Sequence, residues 1–214
     1  MTIYLCGDST AASYSEQEAP MVGWGQVLPE LVTERVDNRA MPGRSTKSFL
    51  SEGRLQAIET EIQAGDLMLI QFAHNDESDL VWRHTDPWTS YTNNLKIFAH
   101  TALLHRAQPV LLTPICRRFW QDGQLRHSHE EYLEAMILMA QSHGLPLIDL
   151  YGQSRELVAR LGEEESKRLY MHLEKGAYPA YPLGQADDTH TRRAGAEAFA
   201  SMAAEGLRRF GLIQ

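Results

Sequence analysis

Four short blocks of this chain carry residues whose types can do chemistry together. The first is Gly7-Asp8-Ser9-Thr10, directly after a short apolar run. A serine at a strand-to-helix turn exposes its hydroxyl at the sheet edge, and the following helix aims N–H groups at any anion formed there. A capped β-turn has the same composition. The second block is Met41-Pro42-Gly43-Arg44-Ser45. Its glycine lets a backbone N–H come close to a ligand, or is an ordinary loop glycine. The third is Gln71-Phe72-Ala73-His74-Asn75-Asp76. An asparagine at the end of a central strand offers a side-chain N–H to an oxyanion, or caps the next turn. The fourth is Asp187-Asp188-Thr189-His190. An acid three residues ahead of a histidine can hold one ring nitrogen and leave the other free to take a proton. A helix cap beside an exposed histidine is the plainer alternative.

Such residues act together only if a scaffold gathers them. Five apolar stretches have the length and aliphatic character of buried strands, at 3–6, 35–39 (the weakest), 67–72, 110–115 and 146–150. Helical periodicity falls between them at 23–33, 55–62, 88–106 and 130–143, and a last helix closes the chain over 191–210. Gly144 stops the fourth of these, with Pro146 beyond. Strands alternating with helices predict right-handed βαβ units and a parallel sheet in one domain spanning 1–214. Two stretches, 117–128 and 171–188, show no period. Loops this long in a compact domain are usually functional or disordered, and both fall at the C-terminal edge of the predicted sheet, where open α/β folds bind ligands.

The 214 residues are 43% hydrophobic and 22% charged, which fits an α/β domain with a full core and argues against a disordered or membrane-spanning chain. No apolar run reaches the roughly 18 residues that cross a bilayer, and the first residues lack a basic segment followed by a long apolar one. A cytoplasmic protein is the expectation. Cys6 and Cys116 each follow an apolar run, outside any zinc-type spacing, and are expected to be buried and reduced. A net charge of −8 without a basic block argues against nucleic acid or an anionic membrane as partner.

The order of the four blocks narrows the chemistry. Serine after the first strand, glycine after the second, asparagine after the third and DxxH before the last helix resemble the GDSL (SGNH) hydrolases, from residue 3 to residue 199. Within that family, the opening GDST, the AHND block, the RRF segment after the fourth strand and the ending DDTHTRRAGAEAFA resemble the rhamnogalacturonan acetylesterases. The resemblance implies a three-layer α/β/α sandwich around a five-stranded parallel sheet of flavodoxin-like order. It also implies Ser9 as nucleophile, His190 as general base and Asp187 as the orienting acid, with the adjacent Asp188 as rival. The oxyanion would be held by the backbone N–H groups of Ser9 and Gly43 and the Asn75 amide. Neither metal nor organic cofactor is implied. Ala73 departs from the family, which usually has glycine there, and its methyl group is expected to narrow the approach to the site.

The substrate expected from the resemblance is a small acetylated pectic oligosaccharide. Galacturonate carboxylates would be repelled at long range by a chain at −8. Arg44, Arg83, Arg117 and Arg118 fall in or near sheet-edge loops and can reverse that locally, or are plain surface charges. Trp24 is either a sugar-stacking wall or core. His74, Arg44 and Arg117 are further candidates for substrate contact, His74 with packing as its alternative. His127, His129 and His172 have no metal spacing and are expected to be solvated loop residues. The competing activities are acetylxylan esterase and thioesterase or lysophospholipase. A non-catalytic carbohydrate binder is disfavoured, since binding alone needs no intact Ser9, Asn75 and His190. The oligomeric state is left open.

Overall fold

The computed structural model describes all 214 residues, Met1–Gln214. In chain order the elements are β1 (Thr2–Gly7), α1 (Trp24–Val27), β2 (Arg35–Asn38), α2 (Thr46–Ser51), α3 (Arg54–Glu59), β3 (Leu67–Gln71), α4 (Thr92–Leu104) and β4 (Gln108–Leu112). They continue with β5 (Trp120–Gln121), β6 (Gln124–Leu125), α5 (Glu130–Ser142), β7 (Leu147–Ile148), α6 (Leu150–Glu165), β8 (Tyr170–Leu173), β9 (Gln185–Thr191) and α7 (Arg193–Arg209). The central sheet runs β2-β1-β3-β4-β7 with every neighbour parallel. This is the predicted five-stranded parallel sheet in its flavodoxin-like order. The order reverses between β1 and β3, and ligands in such sheets bind outside the strand ends at that switch point.

Alternation along the strands builds a core on each face. Ile3, Leu5, Leu67, Leu69, Val110 and Leu112 pack with α1, α6 and α7 on one side. Tyr4, Cys6, Met68, Ile70 and Leu111 pack with α2, α3, α4 and α5 on the other. Phe49, Phe72 and Phe98 form a three-ring cluster in the second core, with centroids 5.4 to 5.6 Å apart. Both cysteines are buried and free. No helix is long and apolar enough to cross a membrane.

Several elements differ from expectation. The helix expected over 23–33 stops at Val27 and continues as a 3-10 turn at Leu28–Glu30, where Pro29 cannot donate to a helical ladder. The strand expected over 110–115 runs from Gln108 to Leu112; beyond it the Thr113 hydroxyl accepts from the Tyr151 N–H at 2.8 Å. Helix α6 carries no clear helical period in the sequence. Leu150, Ser154 and Val158 form its buried face at spacing four, while Gly152 and Gly162 dilute the signal. Helix α2 was also missed; the buried Ser45 caps it by accepting from the Ser48 N–H at 3.2 Å.

The two aperiodic stretches contain hairpins. β5 and β6 pair across Asp122 and Gly123, both at positive φ (52° and 71°) as a tight hairpin turn requires. β8 and β9 pair antiparallel outside the main sheet. The DxxH block therefore rides on a strand held by a second strand. Its polar residues hide it from a periodicity test, since β9 reads QADDTHT.

Candidate active site

Ser9 follows β1 in a turn held by its neighbours. The Asp8 carboxylate accepts from the Thr10 N–H at 2.9 Å and the Thr10 hydroxyl at 2.8 Å, and its other oxygen lies 3.2 Å from His74 Nδ1. Burial alone would push the Asp8 carboxyl up; the imidazole and these hydrogen bonds outweigh it and hold it below the usual carboxylate range. The Tyr14 hydroxyl donates to the Ser9 carbonyl at 2.7 Å. The glycine block is tied to the asparagine block by Asp76, which accepts from the Thr46 N–H at 3.1 Å, the Thr46 hydroxyl at 2.5 Å and the Thr85 hydroxyl at 3.0 Å. Full burial pushes the Asp76 carboxyl up to about 7, against the three donors that favour its charged form.

These loops enclose a cleft of about 400 Å³ lined by Ser9, Pro42, Gly43, His74, Asn75, Arg83, Arg117, Asp187, Thr189 and His190. Its one apolar lining side chain is the Pro42 ring. Across it, His190 Nε2 lies 2.9 Å from Ser9 Oγ, and His190 Nδ1 lies 2.7 Å from Asp187 Oδ2. Asp187 Oδ1 accepts from the backbone N–H groups of Thr189 at 2.8 Å and His190 at 3.0 Å. Burial pushes the Asp187 carboxyl up, but the His190 ring and these N–H groups bring it down to about 2. These contacts hold the Asp187 carboxyl in its charged form beside the ring. A neutral His190 that donates Nδ1–H to it presents a lone pair at Nε2 to the serine hydroxyl. A hydroxyl, a neutral imidazole and a fixed carboxylate in line can activate a nucleophile without a metal.

The rival acid is committed elsewhere. Asp188 Oδ1 accepts from Arg118 Nη1 and lies against His172 Nε2, both at 2.7 Å. Gly43 sits at φ +78°, where an L side chain is strained, and neither its N–H nor that of Ser9 has an acceptor within the protein. Asn75 is buried, donates from Nδ2 to the Arg44 carbonyl at 3.0 Å, and keeps a second amide hydrogen.

Two candidate substrate contacts are corrected. Trp24 is fully buried and its indole N–H donates to Gln71 Oε1 at 3.1 Å, so the ring is core beneath the site and not a sugar wall. Arg44 turns its side chain away from the cleft, with Nε 3.1 Å from the Glu52 carboxylate and Nη1 donating to the Pro42 carbonyl at 2.9 Å. Arg117 and His74 do line the cleft. Arg117 is occupied by Glu77 (2.7 Å), the Thr189 hydroxyl (3.1 Å) and the His74 carbonyl (3.2 Å). Ala73 is fully buried in the second core and lines no part of the cleft, so its methyl group does not narrow the approach. Asp8, Tyr14 and Thr189 also support the site. Asp8 stands inside the GDST block itself; for Tyr14 no pattern points to its hydroxyl.

His129 also departs from expectation. It is buried, its ring packs against His74 with centroids 4.3 Å apart, and Nδ1 lies 2.9 Å from Glu77 Oε2. Burial first, and the His74 ring second, push it down to about 4 in spite of Glu77. Between about pH 6.5 and pH 4 the unfolded chain then takes up a proton that the folded chain refuses, so this residue makes stability fall as pH falls, by up to about 3 kcal/mol across the window. Urea unfolding at pH 4.5 and 7 should show a smaller pH difference for His129→Gln than for the wild type; equal differences would contradict a buried neutral imidazole.

The chain is similar to known proteins over nearly its whole length. The model of the GDSL-like lipase/acylhydrolase family matches residues 5–198. The chain is 42% identical to the rhamnogalacturonan acetylesterase RhgT of Bacillus subtilis (strain 168) over 213 residues, covering 98% of this chain and 90% of that one. It is 36% identical to the probable rhamnogalacturonan acetylesterase YesY of the same organism, covering 98% and 94%. Among solved structures, the Bacillus subtilis protein YxiM superposes with a TM-score of 0.81 at 28% identity, over 98% of this chain and 56% of that one.

Proposed function

Since this chain belongs to the GDSL-like lipase/acylhydrolase family and is an esterase, we propose that it removes O-acetyl groups from short pectic oligosaccharides through an acetyl-enzyme on Ser9. The observation that carries this reading is the unbroken relay Asp187 Oδ2–Nδ1 His190 Nε2–Oγ Ser9, at 2.7 and 2.9 Å. Ser9 Oγ attacks the acetyl carbonyl as its proton passes to His190 Nε2. Asp187 holds the ring in the required tautomer and stabilises the imidazolium. The tetrahedral oxyanion is received by the free N–H groups of Ser9 and Gly43 and the spare Asn75 amide hydrogen. Losing one such donor typically costs about 100- to 1,000-fold in rate. Collapse expels the sugar alkoxide, which takes the proton back from His190. Water, giving a proton to the same imidazole, then attacks the acetyl carbonyl, and collapse releases acetic acid as Ser9 Oγ leaves and takes that proton from His190. No step needs a metal or organic cofactor.

The cleft supports a sugar acetate over a lipid ester. An acyl groove needs apolar walls, and apart from the Pro42 ring the side chains lining this cleft are hydroxyl, amide, imidazole, carboxylate and guanidinium groups. The chain's similarity to the rhamnogalacturonan acetylesterase RhgT and to the probable rhamnogalacturonan acetylesterase YesY favours rhamnogalacturonan as the sugar. Arg83, which no carboxylate pairs, places a positive charge on the cleft wall of a chain at −8, which suits a uronate.

The test is acetate release from acetylated rhamnogalacturonan fragments and from acetylated xylan, with p-nitrophenyl esters of increasing acyl length beside them. Preference for the pectic fragments and for the acetyl ester is expected. Faster turnover of acyl chains of about eight carbons would sink the acetylesterase reading, because each added methylene gains only where apolar surface receives it.

A further inference from the structure

We infer that Arg83 is a positioning residue of the oxyanion hole, setting the orientation and donor strength of the Asn75 amide; this rests on the esterase reading above. An asparagine amide is nearly symmetric in shape, and only its partners decide which end faces the reaction. One end of Asn75 lies 3.0 Å from the Arg44 carbonyl, which can only accept. The other lies 2.9 Å from Arg83 Nη1, which can only donate. The nitrogen must therefore face Arg44 and the oxygen must face Arg83. A flipped amide would set N–H against guanidinium and oxygen against oxygen.

The same Nη1 lies 3.5 Å from the Gly43 carbonyl, so one guanidinium touches both loops that would supply the Gly43 and Asn75 donors. No carboxylate in the protein pairs with Arg83, whereas the cleft's other arginine, Arg117, is paired with Glu77 at 2.7 Å. Arg83 Nε is buried without a partner. Its guanidinium rests on the half-exposed Trp82 ring, 5.3 Å from the centroid. The backbone holds it in place: the Arg83 and His84 N–H groups donate to the Leu80 carbonyl at 2.9 and 2.8 Å, and Thr85 closes the loop onto the Asp76 carbonyl at 3.0 Å. An uncompensated cation on the carbonyl end of an amide draws electrons toward that oxygen and makes the opposite N–H a stronger donor. Arg83 thus prepares Asn75 for an anion without touching the reacting atoms.

The experiment is a double-mutant cycle on p-nitrophenyl acetate, a substrate with no sugar and no carboxylate. Arg83→Ala should lower kcat by about 10- to 100-fold, part of the loss of a whole donor, with KM within about threefold. Arg83→Met keeps the apolar stem on Trp82 and removes only the donors, and should match it. Arg83→Lys, which retains charge and donor, should recover much of the loss. In an Asn75→Ala background, Arg83→Ala should cost less than about twofold. An unchanged kcat in both Arg83→Ala and Arg83→Met overturns the proposal. So does a loss that persists undiminished without Asn75. A change confined to KM for uronate substrates would make Arg83 a carboxylate contact and overturn it as well. Full activity in Ser9→Ala would instead overturn the acetyl-enzyme reading on Ser9 beneath it.

Discussion

Ser9→Ala is expected to lose on the order of 10⁴- to 10⁶-fold in kcat on p-nitrophenyl acetate, with the fold intact. The range follows from the behaviour of serine–histidine–aspartate sites, where the residues act as a unit and removal of the serine or histidine alone costs nearly the whole catalytic effect. Ser9 Oγ has one side-chain partner, His190 Nε2 at 2.9 Å. Its turn is held by Asp8 and by Tyr14 on the Ser9 carbonyl, none of which needs the hydroxyl. The thermal midpoint should therefore move little. The residual rate measures what the oxyanion donors achieve with water as nucleophile. A loss of less than about tenfold would require a different nucleophile.

Asp187→Asn is expected to cost about 10⁴-fold in kcat, by a different route. Asp187 Oδ1 is claimed by two backbone N–H groups, at 2.8 and 3.0 Å. An asparagine would keep its oxygen on those donors and turn its NH₂ toward His190 Nδ1, where Oδ2 now sits at 2.7 Å. That amide can only donate, so the ring proton is driven to Nε2 and the imidazole can no longer accept from Ser9. Asp188→Asn separates this from a general charge effect. Asp188 holds Arg118 and His172, not His190, so its replacement should leave kcat within about threefold and lower stability instead, since it strands a buried arginine. Equal losses in the two variants would mean that the field of the β8–β9 hairpin, and not the tautomer, is what matters.

The pattern of what the sequence reveals follows from its physics. Ser9, Gly43, Asn75, Asp187 and His190 are legible because the chemistry demands those residue types, and each stands just after a recognisable strand or just before a recognisable helix. The central strands β1, β3 and β4 are legible because they are buried on both faces, which makes them continuous apolar runs. β9 is not legible, because a strand that carries catalytic side chains beside solvent must be polar. Helix α6 is obscured by its two glycines, one of them at φ +78° inside the element. Side-chain direction is the hardest to foresee. Arg44 and Arg83 look equivalent as sheet-edge arginines, yet Glu52 draws Arg44 out of the cleft while no carboxylate holds Arg83 back. Trp24, which follows the Ser9 turn, reads equally as a sugar platform or as core from the sequence, and the buried partner that Gln71 at the end of β3 gives its indole N–H decides for core.

The acyl-enzyme itself gives the most direct test. Protein mixed rapidly with p-nitrophenyl acetate, quenched in acid and digested should carry one acetyl group per chain, on the peptide that contains Ser9, during the pre-steady-state burst of p-nitrophenol. His190→Ala, which leaves the serine without its base, should show neither burst nor label. An acetyl group on another residue, or a burst that survives in His190→Ala, would contradict the account.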